Sequence, residues 1–465
     1  MASKLEHHSR VRELWSRPQN VRRSPNLPLP SKGAVDAASL ILGLGLGATI
    51  ALYVLGEANG ALKGPGGLAL AITRASGLIA TYMLILVVLL AARVSIIERT
   101  LGQDKLVKWH RKLAPYALVL LTIHVFLSIY GYAKLSNTSL FKQLTTFILH
   151  YPDMLMALVG YLLLIMAGVT SYKRARSKMK YETWWVVHLY TYLGVALAVA
   201  HQVRTGIMFL NHPLARNLWV ATFVVVAEFV LWNRLLVTLY RNVVHQLKIV
   251  AIVEEGPGVY SVTCQGKHLD RLPVSGGQFI QWRFLSKDLF LHSHPYSLSA
   301  MPRPPYIRVT IKDLGDHSGL VSKLRVGTRV FIEGPYGAFT RYRTSSKKVT
   351  LIGAGVGATP IRALLEDMPP DVETNVILRG SSSDDLIHND EIAELMANRR
   401  GKFYEVTGSR SSVKLDAATL KRLVPEANKN DFFICGPVGF NNEVKESLSK
   451  LGVTQDKIHI EEFAF

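Results

Sequence analysis

Six apolar runs long enough to cross a membrane fill the first half of this chain, and no other feature restricts its fold as strongly. They lie at 37–55, 68–91, 113–132, 154–171, 184–203 and 218–236. Each approaches the roughly 20 residues that a helix needs to cross the hydrocarbon core. A backbone in lipid must satisfy its own hydrogen bonds, so runs of this length are expected to be helices in a bundle. The sixth run is bracketed by Arg216 and Arg234 and contains Glu228, whose carboxylate is expected to face the bundle and not lipid. After about residue 240 the pattern changes to strand-length runs, Gly/Pro turns and ordinary charge density.

A net charge of +20 admits two readings, nucleic acid or membrane topology, and its distribution decides between them. Seven basic residues precede the first run (Lys4, Arg10, Arg12, Arg17, Arg22, Arg23 and Lys32), six lie from Arg93 to Lys112, and five from Lys173 to Lys180. The alternate links hold only Lys63, then Lys134 and Lys142, then Arg204 and Arg216. Positive charge gathers on the cytoplasmic side, so the chain reads as a multi-pass protein of the plasma membrane with both termini cytoplasmic. Its large-scale partner is lipid, nucleic acid is excluded, and no pattern identifies a protein partner. The first 33 residues are polar, basic and Pro-containing, as in a cytosolic tail and unlike a secretory signal. Cys264 and Cys435 are the only cysteines, both in the second half, which suits a reducing compartment without disulfides.

Two histidine pairs stand inside the apolar half. His110 and His124 are fourteen residues apart on the third run, which in an ideal helix places them about 21 Å apart and about 40° from alignment. His188 and His201 flank the fifth run. Their thirteen-residue spacing leaves them about 140° out of phase, which a bend, a change of winding or side-chain reach must absorb. Both helices run outward, giving an inner pair His110/His188 and an outer pair His124/His201. Imidazole is a common axial ligand of haem iron, so the pairs are candidate ligands of two b-type haems; interhelical hydrogen bonding is the plainer alternative.

On these spacings the chain resembles the ferric reductase and NADPH oxidase superfamily, whose third and fifth spans carry such histidines. The second span is similar too, and the resemblance implies that Arg74 pairs with a propionate of the outer haem; a snorkelling interfacial arginine is the alternative. Animal oxidases of the family have a further histidine one helical turn beyond the outer ligand. Ser128 stands there in this chain.

The second half carries two further motif sets. Residues 244–343 read as an antiparallel β-barrel, in which His294-Pro295-Tyr296-Ser297 resembles the family's flavin motif. His294 suits the pyrophosphate, Tyr296 the ring face and Ser297 the reactive nitrogen. Ser318 and Gly319 are candidate donors to the FAD phosphates, with Lys312 nearby. Residues 347–465 read as an α/β nucleotide-binding domain: a buried strand, a turn containing Gly353, Gly355 and Gly357, then Thr359-Pro360 and a helix. A later Cys435-Gly436-Pro437 completes an ordered set similar to the family's nicotinamide domain, where the cysteine lies beside the nicotinamide. Arg379 ends the second strand where a 2′-phosphate would sit, favouring NADPH, although Asp384 and Asp385 are close. Near the C-terminus the resemblance implies that Phe463 covers the flavin, with Phe465 as its rival.

The expected architecture is therefore multidomain: a cytosolic tail (1–33), an all-α six-helix transmembrane bundle (34–240), an FAD-binding barrel and an NADPH-binding α/β domain. The implied activity is that of an NAD(P)H-dependent oxidoreductase passing electrons from NADPH through FAD and two haems b to an external small molecule. Ferric chelate is the expected acceptor. O2 reduction to superoxide, transfer to a quinone or periplasmic protein, and a haem-free membrane-anchored flavin reductase are the alternatives.

Overall fold

The computed structural model describes residues 14–15, 32–57, 64–94, 97–98, 101–176, 178–179, 181–210, 212–315, 317–409 and 412–462. They form two compact units. One spans Pro30–Ile97 and Gln103–Leu235, the other Met1–Leu29, Glu98–Gly102 and Leu236–Phe465.

The first unit is helical: α1 (Lys32–Glu57), α2 (Gly67–Ala91), α3 (Gln103–Leu135), α4 (Leu140–His150), α5 (Met154–Ser171), α6 (Tyr181–Thr205) and α7 (Pro213–Val230). A π-helical turn, Leu231–Leu236, joins α7 to α8 (Val237–His245). Among the described residues six stretches are long and apolar enough to cross a membrane: Ser39–Gly56, Gly67–Ala91, Lys105–Leu135, Met154–Ser171, Glu182–Thr205 and Pro213–His245. Their outward faces expose large apolar side chains such as Leu40, Ile41, Phe126 and Leu162, which water would penalise and lipid would not. Small residues let the helices approach: a Cβ on Gly160 would lie 2.6 Å from the Gly194 carbonyl oxygen, and one on Gly131 would lie 2.8 Å from Leu70. The link after the third run holds α4, an eleven-residue helix capped by the Ser139 hydroxyl, too short to register as a span. Glu228 corrects an expectation. It is exposed, because the buried residues of α7, Trp219 and Val226, occupy another face and two residues of helix turn about 200°.

The second unit begins with α8, which is tied to a strand edge by reciprocal hydrogen bonds between the Asn242 amide and the backbone of Ile332. Six antiparallel strands follow: β1 (Lys248–Gly256), β2 (Val259–Gln265), β3 (Phe279–Phe284), β4 (His294–Ser297), β5 (Tyr306–Lys312) and β6 (Val330–Tyr336). They form two three-stranded sheets, ordered β1-β2-β5 and β4-β3-β6. Alternation in β3 buries Ile280, Trp282 and Phe284 against Val262, Leu298 and Ile307.

A parallel sheet completes this unit, built from β7 (Lys348–Ala354), α9 (Ala358–Asp367), β8 (Glu373–Gly380), α10 (Asn389–Ala397), β9 (Phe403–Thr407), α11 (Ala417–Leu423), β10 (Asp431–Gly436), α12 (Val438–Lys450) and β11 (Ile458–Glu462). The strand order is β11-β10-β7-β8-β9. Leu351 and Phe433 pack beneath α9 and α10 on one face, while Ile352 and Ile434 meet α11 and α12 on the other. Chain direction across the sheet reverses between β7 and β10, which opens a crevice at their carboxyl ends.

Candidate functional site

The imidazoles of α3 and α6 meet in two pairs. Ring centres of His110 and His188 are 6.1 Å apart, and those of His124 and His201 are 6.4 Å apart. Two imidazoles bonded to one metal from opposite sides, with bonds of about 2 Å, need ring centres about 6 Å apart. The tautomers suit the same purpose. Nδ1 of His110 lies 2.9 Å from the Val87 carbonyl oxygen, and Nδ1 of His124 lies 2.8 Å from that of Thr73. A carbonyl only accepts, so each Nδ1 carries the proton and each Nε2 keeps its lone pair. Nδ1 of His188 is 3.3 Å from the Ser171 hydroxyl, and its ring stacks on Trp184 at 5.0 Å. Among the described residues no hydrogen bond joins the two rings of either pair; His110 and His124 bond instead to carbonyls of α2, and His188 to Ser171 of α5, so interhelical hydrogen bonds hold the rings without joining them. Because α6 is α-helical throughout its length, a local change of winding does not account for the spacing of His188 and His201, and helix curvature or side-chain reach must.

The outer pair lines a cavity that also includes Arg74, Thr73, Ser128 and Gln202. The Ser128 hydroxyl donates to the His124 carbonyl at 2.7 Å and lies 2.8 Å from the Thr73 hydroxyl. Gly77, which sequence reasoning missed, fits against the His124 ring: an added Cβ would stand 2.5 Å from Nδ1 of His124. Its requirement comes from a neighbouring helix and has no local signature.

In the flavin module, His294-Pro295-Tyr296-Ser297 is strand β4, paired antiparallel with β3. Ser297 is buried, and burial pushes the Tyr296 phenol well above its ordinary pKa. Trp282 Nε1 donates to the Tyr296 carbonyl at 3.2 Å and fixes the strand. The structure adds two imidazoles: His317 stacks on His292 at 3.7 Å, and its ring centre is 5.3 Å from that of His294. The signal for His292 was its two-residue spacing from His294, which places both on one side of an extended chain. The Ser318 hydroxyl is engaged within its own loop, donating to the Gly315 carbonyl at 2.8 Å and accepting from Leu314 N at 2.9 Å. Gly319 N donates to the same carbonyl at 3.3 Å, and Lys312 is exposed at the end of β5.

In the nucleotide module, Gly353, Gly355 and Gly357 lead from β7 to α9 at the sheet's reversal point. Gly355 has φ +57°, and a Cβ on Gly357 would fall 2.0 Å from the Cys435 carbonyl oxygen. Gly353 and Cys435 are register partners on adjacent strands, so the loop and Cys435-Gly436-Pro437 face the same crevice. Thr359 is buried, and among the described residues its hydroxyl has no hydrogen-bond partner, as expected of a group held for a ligand; Pro360 is buried beside it. Burial pushes the Cys435 thiol pKa up, and nearby Glu461 adds to the shift.

Arg379 ends β8, but backbone carbonyls fill its guanidinium: it donates to Gly380, to Gly408 at 2.8 Å, to Val413 at 3.0 Å and to Ser409 at 3.1 Å. It therefore clasps the loop after β9. Asp385 is engaged as well, accepting from Ser381 N at 3.1 Å and Ser382 N at 3.2 Å. Phe463 and Phe465 lie outside the described residues; β11 ends at Glu462, opposite Gly436.

Comparison with known proteins follows the same divisions. Residues 76–199 match the family described as ferric reductase like transmembrane component. Residues 259–340 match an FAD-binding domain, and residues 351–446 an oxidoreductase NAD-binding domain. A flavohemoprotein of Vibrio cholerae serotype O1 is 33% identical over 181 residues, which is 36% of this chain and 45% of that protein. A flavohemoprotein of Oceanobacillus iheyensis is 26% identical over 238 residues, 46% of this chain and 58% of that one. The chain thus spans about half the length of the curated relatives it matches. The flavohem-like FAD/NAD binding domain of nitric oxide dioxygenase from Vibrio cholerae aligns with 47% of this chain and 98% of that one at 22% identity and a TM-score of 0.39, too loose a likeness to add to the fold.

Proposed function

Because this chain joins a ferric reductase-like transmembrane component to the FAD- and NAD(P)H-binding modules of an oxidoreductase, the ferric reductase/NADPH oxidase-type architecture, we propose that it carries electrons from cytosolic NADPH through FAD and two b-type haems to an external ferric chelate. The bound cofactors supply the chemistry, hydride acceptance by flavin and single-electron passage by haem, and the protein supplies position. His110 and His188 hold the inner group, and His124 and His201 the outer one. Arg74, on the wall of the outer cavity, meets a propionate. His294, Tyr296 and Ser297 hold the flavin. Gly353, Gly355, Gly357, Thr359 and Pro360 receive the NADPH pyrophosphate beside Cys435, Gly436 and Pro437, and Phe463 covers the flavin ring. Lys312, Ser318 and Gly319 border the flavin phosphates through charge and backbone, the Ser318 hydroxyl being spent within its own loop.

The observation that carries this reading is the pairing of four imidazoles at 6.1 and 6.4 Å. NADPH is preferred over NADH because β8 ends in the cation Arg379 and not in a carboxylate, and its charge remains although backbone carbonyls take its donors. Ferric chelate is preferred over O2 because Ser128 is bound to the His124 and Thr73 backbone and side chain, which leaves no ionisable group one turn beyond the outer ligand. The test is His124→Ala and His201→Ala in the purified protein. Each should lose about half of the reduced b-type absorbance and nearly all ferric-chelate reduction, while NADPH-to-dye turnover persists. Equal loss of both activities, or wild-type protein without iron porphyrin, would overturn the relay.

A further inference from the structure

Trp15 lies far in sequence from every motif above, yet among the described residues it is one of the most deeply buried side chains, at 1% exposure. Its surroundings are ionic. Arg303 and Arg308 come from the flavin module, while Arg362 and Glu366 of α9 and Glu391 of α10 come from the nucleotide module. Two pairs bridge the modules, Arg303–Glu366 at 2.6 Å and Arg308–Glu391 at 2.7 Å. Arg362 joins them from within the nucleotide module by pairing with both carboxylates.

Among the described residues these ion pairs bring together three guanidinium groups and two carboxylates, with side-chain exposures from 0% to 13%. A surplus buried cation is costly unless something electron-rich accepts its donors. The N-terminal segment does this. Arg362 donates to the Trp15 carbonyl at 2.8 Å, and Arg303 donates to the Leu14 carbonyl. The guanidinium carbons of Arg308 and Arg303 lie 4.9 and 5.5 Å from the indole centre, within cation–π range. Among the described residues the indole N–H has no hydrogen-bond partner, and the arginines lie over the ring face. Arg362 is three residues beyond Thr359, on the helix whose N-terminus borders the nucleotide crevice.

We propose that the seam between the flavin and nucleotide modules is a docking site for the chain's own N-terminal segment, with Trp15 as its anchor, and that docking clamps the two modules together. The segment supplies carbonyl acceptors and an aromatic face to the arginines of the bridging ion pairs, so its release loosens the seam and the helix beneath the nucleotide.

The test uses the full-length protein in detergent, a deletion of residues 1–29, Trp15→Ala and Trp15→Phe. Deletion and Trp15→Ala should each raise the rate of limited proteolysis between the modules at least tenfold and slow NADPH bleaching of bound flavin at least fivefold. FAD content should stay unchanged, and Trp15→Phe should retain more than half of the wild-type behaviour. A synthetic peptide of residues 1–29 added to the deletion protein should restore protection, and the same peptide with Trp15→Ala should not. Wild-type proteolysis in the deletion protein, or equal rescue by both peptides, would overturn the proposal. The proteolysis readout needs no NADPH, so failure of the electron-transfer reading would not be mistaken for failure of this one.

Discussion

At the scale of single residues, the paired histidines were legible because imidazoles inside spanning runs are costly and therefore informative, whereas the residues that seat them were not. Gly77 demonstrates the difference: nothing in its own helix requires glycine, but His124 Nδ1 fills the space a methyl would take, at 2.5 Å. Gly77→Ala should displace that ring and reduce iron-porphyrin content toward one per chain, leaving NADPH-to-dye turnover within about twofold of wild type; pyridine hemochrome titration alongside the dye assay checks both. Cys435 was legible by motif, but its state was not. Burial holds the thiol protonated, and the thiolate is the form that reacts. Iodoacetamide at pH 8 should leave Cys435 unmodified in the folded protein and alkylate it after denaturation, as read by peptide mass spectrometry. Arg379 was read correctly as the charge ending β8, yet the carbonyls it binds belong to a loop about thirty residues further along, and such closure is invisible in a linear reading.

At the scale of elements, spans and strands followed their periodicities, because lipid and a two-sided sheet each impose a simple one. The misses were elements defined by partners: α4 has one apolar face and is too short to span, and the outward turn of Glu228 depends on which face of α7 finds neighbours. The seam between α9, α10 and β5 was equally hidden, since its ion pairs join residues 63 and 83 positions apart. Burial alone would raise the Glu391 carboxyl pKa, but Arg308 and Arg362 hold it far below the usual carboxylate range; Glu366 is lowered in the same way, by Arg362 and Arg303 against burial. Groups whose pKa values are lower folded than unfolded stabilise fully above the unfolded value and progressively less as pH falls beneath it. The second unit should therefore lose stability as pH drops below the ordinary carboxylate range. Glu391→Gln should cost about 3–5 kcal/mol at neutral pH. Thermal unfolding followed by FAD release, at pH 7 and pH 4, should show the gap between wild type and Glu391→Gln shrinking at the lower pH.

At the scale of the whole molecule, the order of parts was readable from one change in texture near residue 240 and from motifs arriving in sequence. The tail's attachment was not, because two residues, Leu14 and Trp15, meet partners some 290 and 350 positions away. The alternation of basic links implies that both ends lie on one side of the membrane. Cysteines introduced at Ser3 and at Gly452 should resist a membrane-impermeant maleimide in intact cells and react after permeabilisation, and labelling of either before permeabilisation would reverse the topology. The carbonyls of Val87 and Thr73, both on α2, receive the Nδ1 protons of His110 and His124. One rod thus has its hand on both histidine pairs. In the proposed relay, a tilt of that rod, from bilayer thickness or from a neighbouring protein, would retune the two stations together, and the voltage step between them would be shielded from mechanical noise that changes each.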